Sequence, residues 1–295
     1  MFIDNHLATI LDGQKLSLLV QEELKAKINE KIALNYRKPS LDVILVGDNP
    51  ASQIYVRNKI KACLNCQING NVHNFAKDAS FFDIKAKIIE LNENPQCDGI
   101  LIQLPLPKHL PSQEILSLVN PDKDVDGLHP YNLGLLLNDN PNLYPCTPYG
   151  IMTLLNHYNI QLEGKLACVI GRSNLVGKPI SLLLSKQNAT VTLCHSKTPD
   201  LAKIARSADI LIVAIGRSNF VNHEFIKNGA CVIDVGINYI ADNSGKNKIT
   251  GDVLFNEVSK IAGFITPVPG GVGPMTVSML LKNTFKAYEK NLSLK

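Results

Sequence analysis

The amino-acid sequence predicts an α/β protein of two lobes, each built on a parallel sheet. Three observations carry this. Short apolar runs of strand length alternate with amphipathic stretches of helical length. The alternation occurs twice, as a β-α-β series in each half, and that order implies strands joined by covering helices. Between the halves, residues 138–148 (Asn138-Asp-Asn-Pro-Asn-Leu-Tyr-Pro-Cys-Thr-Pro148) are rich in Asn and Pro, as a domain boundary is.

Taken in order, Gln14 to Leu34 reads as a helix with apolar positions at Leu16, Leu19, Val20, Leu24 and Ile28. Leu41 to Val46 is a strand ending at Gly47. Ala51 to Asn65 is a helix, Asn71 to Phe75 a weaker strand, and Phe81 to Asn92 a helix. Gly99-Ile-Leu-Ile-Gln-Leu104 is a buried strand stopped by Pro105, and Ser112 to Val119 a helix. Tyr149 to Tyr158 reads as a helix after the boundary. The second series has strands at Lys165–Ile170, Thr190–Cys194, Ile210–Ile215 and Ala230–Val235, with helices at Val176–Gln187 and Leu201–Ser207. Asp242 to Lys248 is a polar loop. Met275 to Lys290 is a terminal helix expected to pack back on the first lobe, so the lobes are 1–148 with 275–295, and 149–274.

The chain has 295 residues, 45% hydrophobic and 19% charged, an ordinary globular balance. Thirty basic residues lie scattered among 26 acidic ones, without the stripe that a nucleic-acid binder concentrates. Met1 to Gln14 lacks the pattern of a signal peptide, and no window approaches a membrane span. Seven cysteines, an odd number, argue against a disulfide framework and for reduced thiols in a reducing compartment. Cys63 and Cys66 form one C-x-x-C with no second pair and no nearby His, so no metal site is expected.

The strand at 165–170 runs into Gly171-Arg-Ser-Asn-Leu-Val-Gly177 and then a helix, the context of a dinucleotide phosphate site. Ser173 stands where the second glycine of G-x-G-x-x-G belongs, and Gly177 comes one residue late. The next strand ends at Cys194-His195-Ser196-Lys197, with no acid for a ribose 2′-hydroxyl. Arg172, Ser196 and Lys197 could accept a 2′-phosphate there, or be solvated loop residues. Gly216 and Gly236-Ile237 end further strands, where glycines let a flat ring approach the backbone or simply turn the chain.

In the first half, Ser52, Tyr55 and Lys59 share one helix face. They could stack a flat substrate and move a proton, or make a solvated face. Gln103 is a polar amide at the end of a buried strand and needs partners. Asp126-Gly127 is either a turn or a carboxylate for a heterocycle's N–H groups. The segment Thr266-Pro-Val-Pro-Gly-Gly-Val-Gly-Pro-Met-Thr276 specifies one rigid loop at the start of a helix.

Together these segments resemble one family, the bifunctional methylenetetrahydrofolate dehydrogenase/cyclohydrolases. The matching stretches are 46–56 with Lys59, 99–107, 121–127, 171–179 and 267–276, in the family's order. The resemblance implies an N-terminal α/β folate-binding lobe and a Rossmann-like lobe binding NADP, with a cleft between them. It implies oxidation of 5,10-methylenetetrahydrofolate with NADP, then hydrolysis of the methenyl product to 10-formyltetrahydrofolate, a step in one-carbon metabolism. Tetrahydrofolate would be the carrier, and no nucleic acid or membrane a partner. Lys59 would transfer the proton of hydrolysis, Gln103 tune it, Tyr55 stack on folate and Asp126 anchor the pterin. Ser52, Leu104, Pro105, Gly127, Pro267, Gly270 and Gly271 would line the folate site. Gly171, Arg172, Ser173, Ser196, Gly216 and Ile237 would contact the cofactor. A cytoplasmic homodimer, paired through the cofactor lobe, is the expected assembly. Another two-lobed NADP dehydrogenase, such as one acting on shikimate, would share the architecture but not Tyr55-x-x-x-Lys59 with the Pro-Gly-Gly loop. A non-catalytic folate or nucleotide binding module is the other rival.

Overall fold

The computed structural model describes residues 7–241 and 247–293. The chain divides into two compact units, one of Leu18–Cys146 with Val277 onward, the other of the residues up to Ser17 with Thr147–Thr276. In chain order the first elements are a strand at Thr9–Ile10 (β1) and a helix at Gly13–Ala33 (α1) that crosses the boundary at Ser17. Then come Ser40–Val46 (β2), Pro50–Asn65 (α2), Asn69–Phe75 (β3), Phe81–Glu93 (α3), Gly99–Ile102 (β4), Ser112–Leu116 (α4) and Pro130–Leu137 (α5). The other unit continues with Cys146–His157 (α6), Leu166–Ile170 (β5), Gly177–Lys186 (α7), Thr190–Cys194 (β6), Leu201–Ala205 (α8), Ile210–Val213 (β7) and Cys231–Asp234 (β8). Asn238–Ala241 (β9), Asn247–Thr250 (β10), Phe255–Val258 (α9) and Phe264–Ile265 (β11) complete it, and Val272–Ser293 (α10) returns to the first unit.

The first unit holds a three-stranded parallel sheet in the order β3-β2-β4. Central β2 is buried at all seven positions, and five of the six residues of Leu41-Asp-Val-Ile-Leu-Val46 are apolar. Edge strand β3 is mostly exposed or half-buried, hence its weak signal. Asn49 caps α2, accepting from the Ala51 and Ser52 amides, and Pro50 occupies its first turn. A capping box between Ser80 and Asp83 starts α3. Ile84, Ile88 and Leu91 of α3 pack with Ile44, Val46, Ile100 and Ile102 in one core.

The other unit holds a six-stranded parallel sheet in the order β1-β11-β8-β7-β5-β6, with β9 and β10 as a separate antiparallel pair. From β5 the chain goes outward to β6, then returns past β5 to β7. The order therefore reverses at β5, and ligands of such sheets bind beyond the carboxyl ends at that switch point.

Several expectations change. The residues before Leu18 belong with the second unit, because β1 adds to the edge of its sheet beside β11, at Thr9↔Phe264 and Ile10↔Ile265. A two-residue strand has no periodicity to read. The boundary falls at Cys146/Thr147, inside α6, which begins three residues before Tyr149. Strand β4 stops at Ile102 and β7 at Val213, each two residues short of the expected end. Helix α10 starts at Val272, inside the Pro-Gly-Gly segment. Of the loop expected at 242–248, residues 242–246 lie outside the described residues, and Asn247 and Lys248 are strand β10. Residues 1–6 of the N-terminal reading also lie outside the described residues.

Candidate active site

Lys59 lies on the third turn of α2, and its Nζ donates to Gln103 Oε1 at 2.9 Å. Gln103 follows the last residue of β4 and is buried, and its own amide still bonds the Ile44 carbonyl at 2.9 Å. Its Nε2 donates to the Leu104 carbonyl at 2.6 Å. The carboxamide is thus oriented, with its oxygen toward the amine. Burial pushes the Lys59 ammonium below the ordinary lysine pKa, and the attraction of Asp126 opposes that fall. The partner oxygen is neutral, so it does not hold the proton as a carboxylate would.

Burial pushes the Asp126 carboxyl up, while Lys59 and the Cys146 thiol pull it down. The loop carrying Asp126 is fixed from several sides. Asp124, buried, accepts from the Leu128 amide (3.2 Å), the His129 amide (2.8 Å) and Asn132 Nδ2 (2.8 Å). Gly127 has φ +71°, and a Cβ there would lie 2.4 Å from the Tyr144 backbone. Asn283 of α10 donates to the Val125 and Tyr144 carbonyls at 2.9 and 2.8 Å. Cys146 Sγ donates to the Val125 carbonyl at 3.2 Å and touches the Asp126 carboxylate. The sequence reading passed over Asp124, Asn132, Cys146 and Asn283. Only the proximity of Asp124 to Asp126 could have pointed to one of them.

Of the other folate-site candidates, Tyr55 is half-buried on α2 one turn before Lys59, and Ser52 is buried on the same helix. Leu104 and Pro105 follow Gln103, joined by a cis peptide. Pro267, Gly270 and Gly271 belong to the second unit. There the Gly270 carbonyl accepts from the Gln14 amide at 2.8 Å, and a Cβ on Gly13 would lie 1.9 Å from the Gly271 oxygen. The start of α1 therefore seats against this loop.

At the sheet's switch point, Gly171 has φ +118°, and a Cβ on it would lie 2.1 Å from the Ala214 carbonyl oxygen. A Cβ on Gly177 would lie 1.9 Å from the Gly171 oxygen. Glycine is required at both, and the β5–α7 turn is correspondingly tight. Helix α7 has no side-chain cap at its N-terminus, where its dipole favours an anion. The Ser173 hydroxyl is not on that helix but accepts from the Val176 amide at 3.2 Å. Arg172, Ser173, Ser196, Lys197, Gly216 and Ile237 are exposed around this end of the sheet. The β6 end carries no carboxylate from Cys194 through Lys197, so the donor set suits an additional phosphate.

Two family models match the chain. The catalytic domain of tetrahydrofolate dehydrogenase/cyclohydrolase matches residues 11–126, and its NAD(P)-binding domain residues 145–292. The chain belongs to the tetrahydrofolate dehydrogenase/cyclohydrolase family. A bifunctional FolD protein of Streptococcus thermophilus is 50% identical over 97% of this chain and 99% of its own length. The solved bifunctional FolD from Campylobacter jejuni shares 47% identity, covering 96% of this chain and 99% of that one, with TM-score 0.90. The FolD of Trypanosoma brucei, solved with NADP cofactor and inhibitor, shares 39% identity and TM-score 0.93, covering 97% and 99%. The two family models divide the chain between Asp126 and Pro145, beside the observed crossing at Cys146.

Proposed function

We infer that this tetrahydrofolate dehydrogenase/cyclohydrolase oxidises 5,10-methylenetetrahydrofolate to the methenyl form with NADP, then hydrolyses it to 10-formyltetrahydrofolate. The observation that carries the reading is the half-buried Lys59, its amine bonded to a neutral Gln103 and beside Asp126.

The dehydrogenase step needs no enzymatic base, only a substrate carbon held in place with water controlled. Bound NADP would accept the hydride. Gly171 and Gly177 give its pyrophosphate a close approach to the backbone and helix α7, and Arg172, Ser196 and Lys197 supply donors for the 2′-phosphate. Asp126 would accept from the pterin's N–H groups, and Tyr55 stack on the aminobenzoyl ring.

Hydrolysis adds water to an already electrophilic carbon. The water oxygen bonds to the bridge carbon, and a proton passes to the neutral Lys59 amine. The bond from that carbon to N5 then breaks. One water proton ends on N5, the other leaves to solvent, and the formyl group stays on N10. Burial lowers the pKa of the amine and so raises its neutral fraction.

Seven free cysteines support a reducing compartment, and the cytoplasm is the location we propose. The edge position of β6, with Leu193 37% exposed, supports pairing of two copies through the cofactor unit. Purine, methionine and histidine biosynthesis are the pathways we propose the enzyme serves. The test is direct: purified protein should reduce NADP only when methylenetetrahydrofolate is present, and should accelerate decay of methenyl absorbance without NADP. Failure of both would refute the reading.

A further inference from the structure

One fully buried carboxylate shapes both strand ends on the far side of the switch point. Asp252 follows β10 and has no exposed surface. Its Oδ2 accepts from the amides of Ile215 (2.7 Å) and Gly216 (2.9 Å). Its Oδ1 accepts from the Arg217 amide (2.8 Å) and from Asn238 Nδ2 (2.9 Å). Three consecutive amides converging on one anion form a nest, an arrangement often used to hold a ligand's negative charge. Here the chain fills its own nest from inside. The loop after β7 is thereby turned so that its other side faces outward. Gly216, at φ +64°, lies on that side, and a Cβ there would meet nothing within 4 Å. The loop after β8 is held by the same group. Gly236 packs directly on it, since a Cβ would lie 2.4 Å from Asp252 Cγ, and Asn238 is bonded to it.

Asp252 is itself held. Asp234, at the end of β8, accepts from the amides of Gly236, Asp252 and Val253, each at 2.9 Å. The Asp234 amide in turn donates to Thr266 Oγ1 at 2.7 Å, at the root of the Pro-Gly-Gly loop. None of the four donors to Asp252 is a cation. Burying a carboxylate on amides alone is costly, and a plain turn closes without one.

We propose that Asp252 is a positioning residue for the dinucleotide. It holds the loops 215–217 and 236–238 in the one arrangement that presents Gly216 and Ile237 to the nicotinamide half of the cofactor, and it does not touch the cofactor itself. This rests on the NADP reading above, and the test separates the two.

Two variants of the full chain serve. Asp252→Asn replaces one acceptor oxygen by a donor, and Asn238→Ala removes a single donor while leaving the three amides bonded. The readouts are KM for NADP against kcat, equilibrium NADP titration, and hydrolysis of methenyltetrahydrofolate without NADP. Asp252→Asn is expected to raise KM for NADP about tenfold or more, and Asn238→Ala about threefold. Hydrolysis is expected to stay within about twofold of the parent in both, because its proton-transfer groups Lys59, Gln103 and Asp126 lie in the other unit. A folded variant with parental NADP affinity overturns the proposal, and so does a parallel loss of hydrolysis, which would mark a merely structural role. If Asp252→Asn does not fold, Asn238→Ala decides by the same criteria. A parent protein that never reduces NADP would instead sink the function, whatever the variants do.

Discussion

At the scale of single residues, the account turns on which partner Lys59 has. A carboxamide leaves its lowered basicity intact, whereas a carboxylate would favour the ammonium. Gln103→Glu should therefore move the acid limb of the hydrolysis pH profile to higher pH. It should also lower the rate at neutrality by about tenfold or more. An unshifted limb would disconnect Gln103 from Lys59. On the cofactor side, Arg172→Ala should cut kcat/KM with NADP by about tenfold while leaving that with NAD nearly unchanged, because only the 2′-phosphate distinguishes them. Equal losses with both cofactors would remove Arg172 from that role. Gln103 stands out in the sequence as a polar amide in an apolar strand, whereas Lys59 and Asp126 are singled out by a helix-face spacing and an Asp-Gly pair and take their roles from the family resemblance. Cys146 was not, since a lone cysteine in a Pro-rich stretch reads as packing. Asp252 was not, since an Asp after a glycine reads as a turn.

At the scale of elements, the loop 124–129 shows what a buried carboxylate does to stability. Burial pushes the Asp124 carboxyl up to about 7, against the pull of Asn132 and the His129 and Leu128 amides. The folded protein then holds a proton that the unfolded chain has released, across the window from the ordinary value of 3.8 up to about 7. Stability contributed by this group is present below that window and falls as pH rises through it, by up to about 4 kcal/mol. Urea unfolding at pH 5 and pH 8 should show a smaller difference for Asp124→Asn than for the parent. Equal differences would place the titration elsewhere. Gly127→Ala combines a left-handed φ with a clash against the Tyr144 backbone, and should cost about 2–4 kcal/mol. An unchanged melting temperature would contradict this. The longer helices and buried strands were legible from apolar periodicity and apolar runs alone, as with the helix expected at Phe81–Asn92 and observed as α3. The short strands β1 and β11 and the helix α5 were not: two residues carry no period, and α5 is apolar on several sides.

At the scale of the whole molecule, the chain crosses between units three times, after Ser17, Cys146 and Thr276. The boundaries expected from composition and from the terminal helix, after residues 148 and 274, each lie two residues from the second and third crossings. Sequence reading missed the first because α1 runs through it without a break. The division separates two chemistries. Lys59, Gln103 and Asp126 lie in one unit, and the glycine turns at Gly171 and Gly216 in the other. Each activity should therefore be removable while the other persists. Lys59→Met keeps much of the side chain's bulk and removes its amine. The decisive measurement is the rate of methenyltetrahydrofolate decay by this variant, with NADP reduction followed on the same preparation. Decay is expected to fall by at least about a hundredfold while NADP is still reduced. Decay at the parent rate would show that the hydrolytic proton travels by another route.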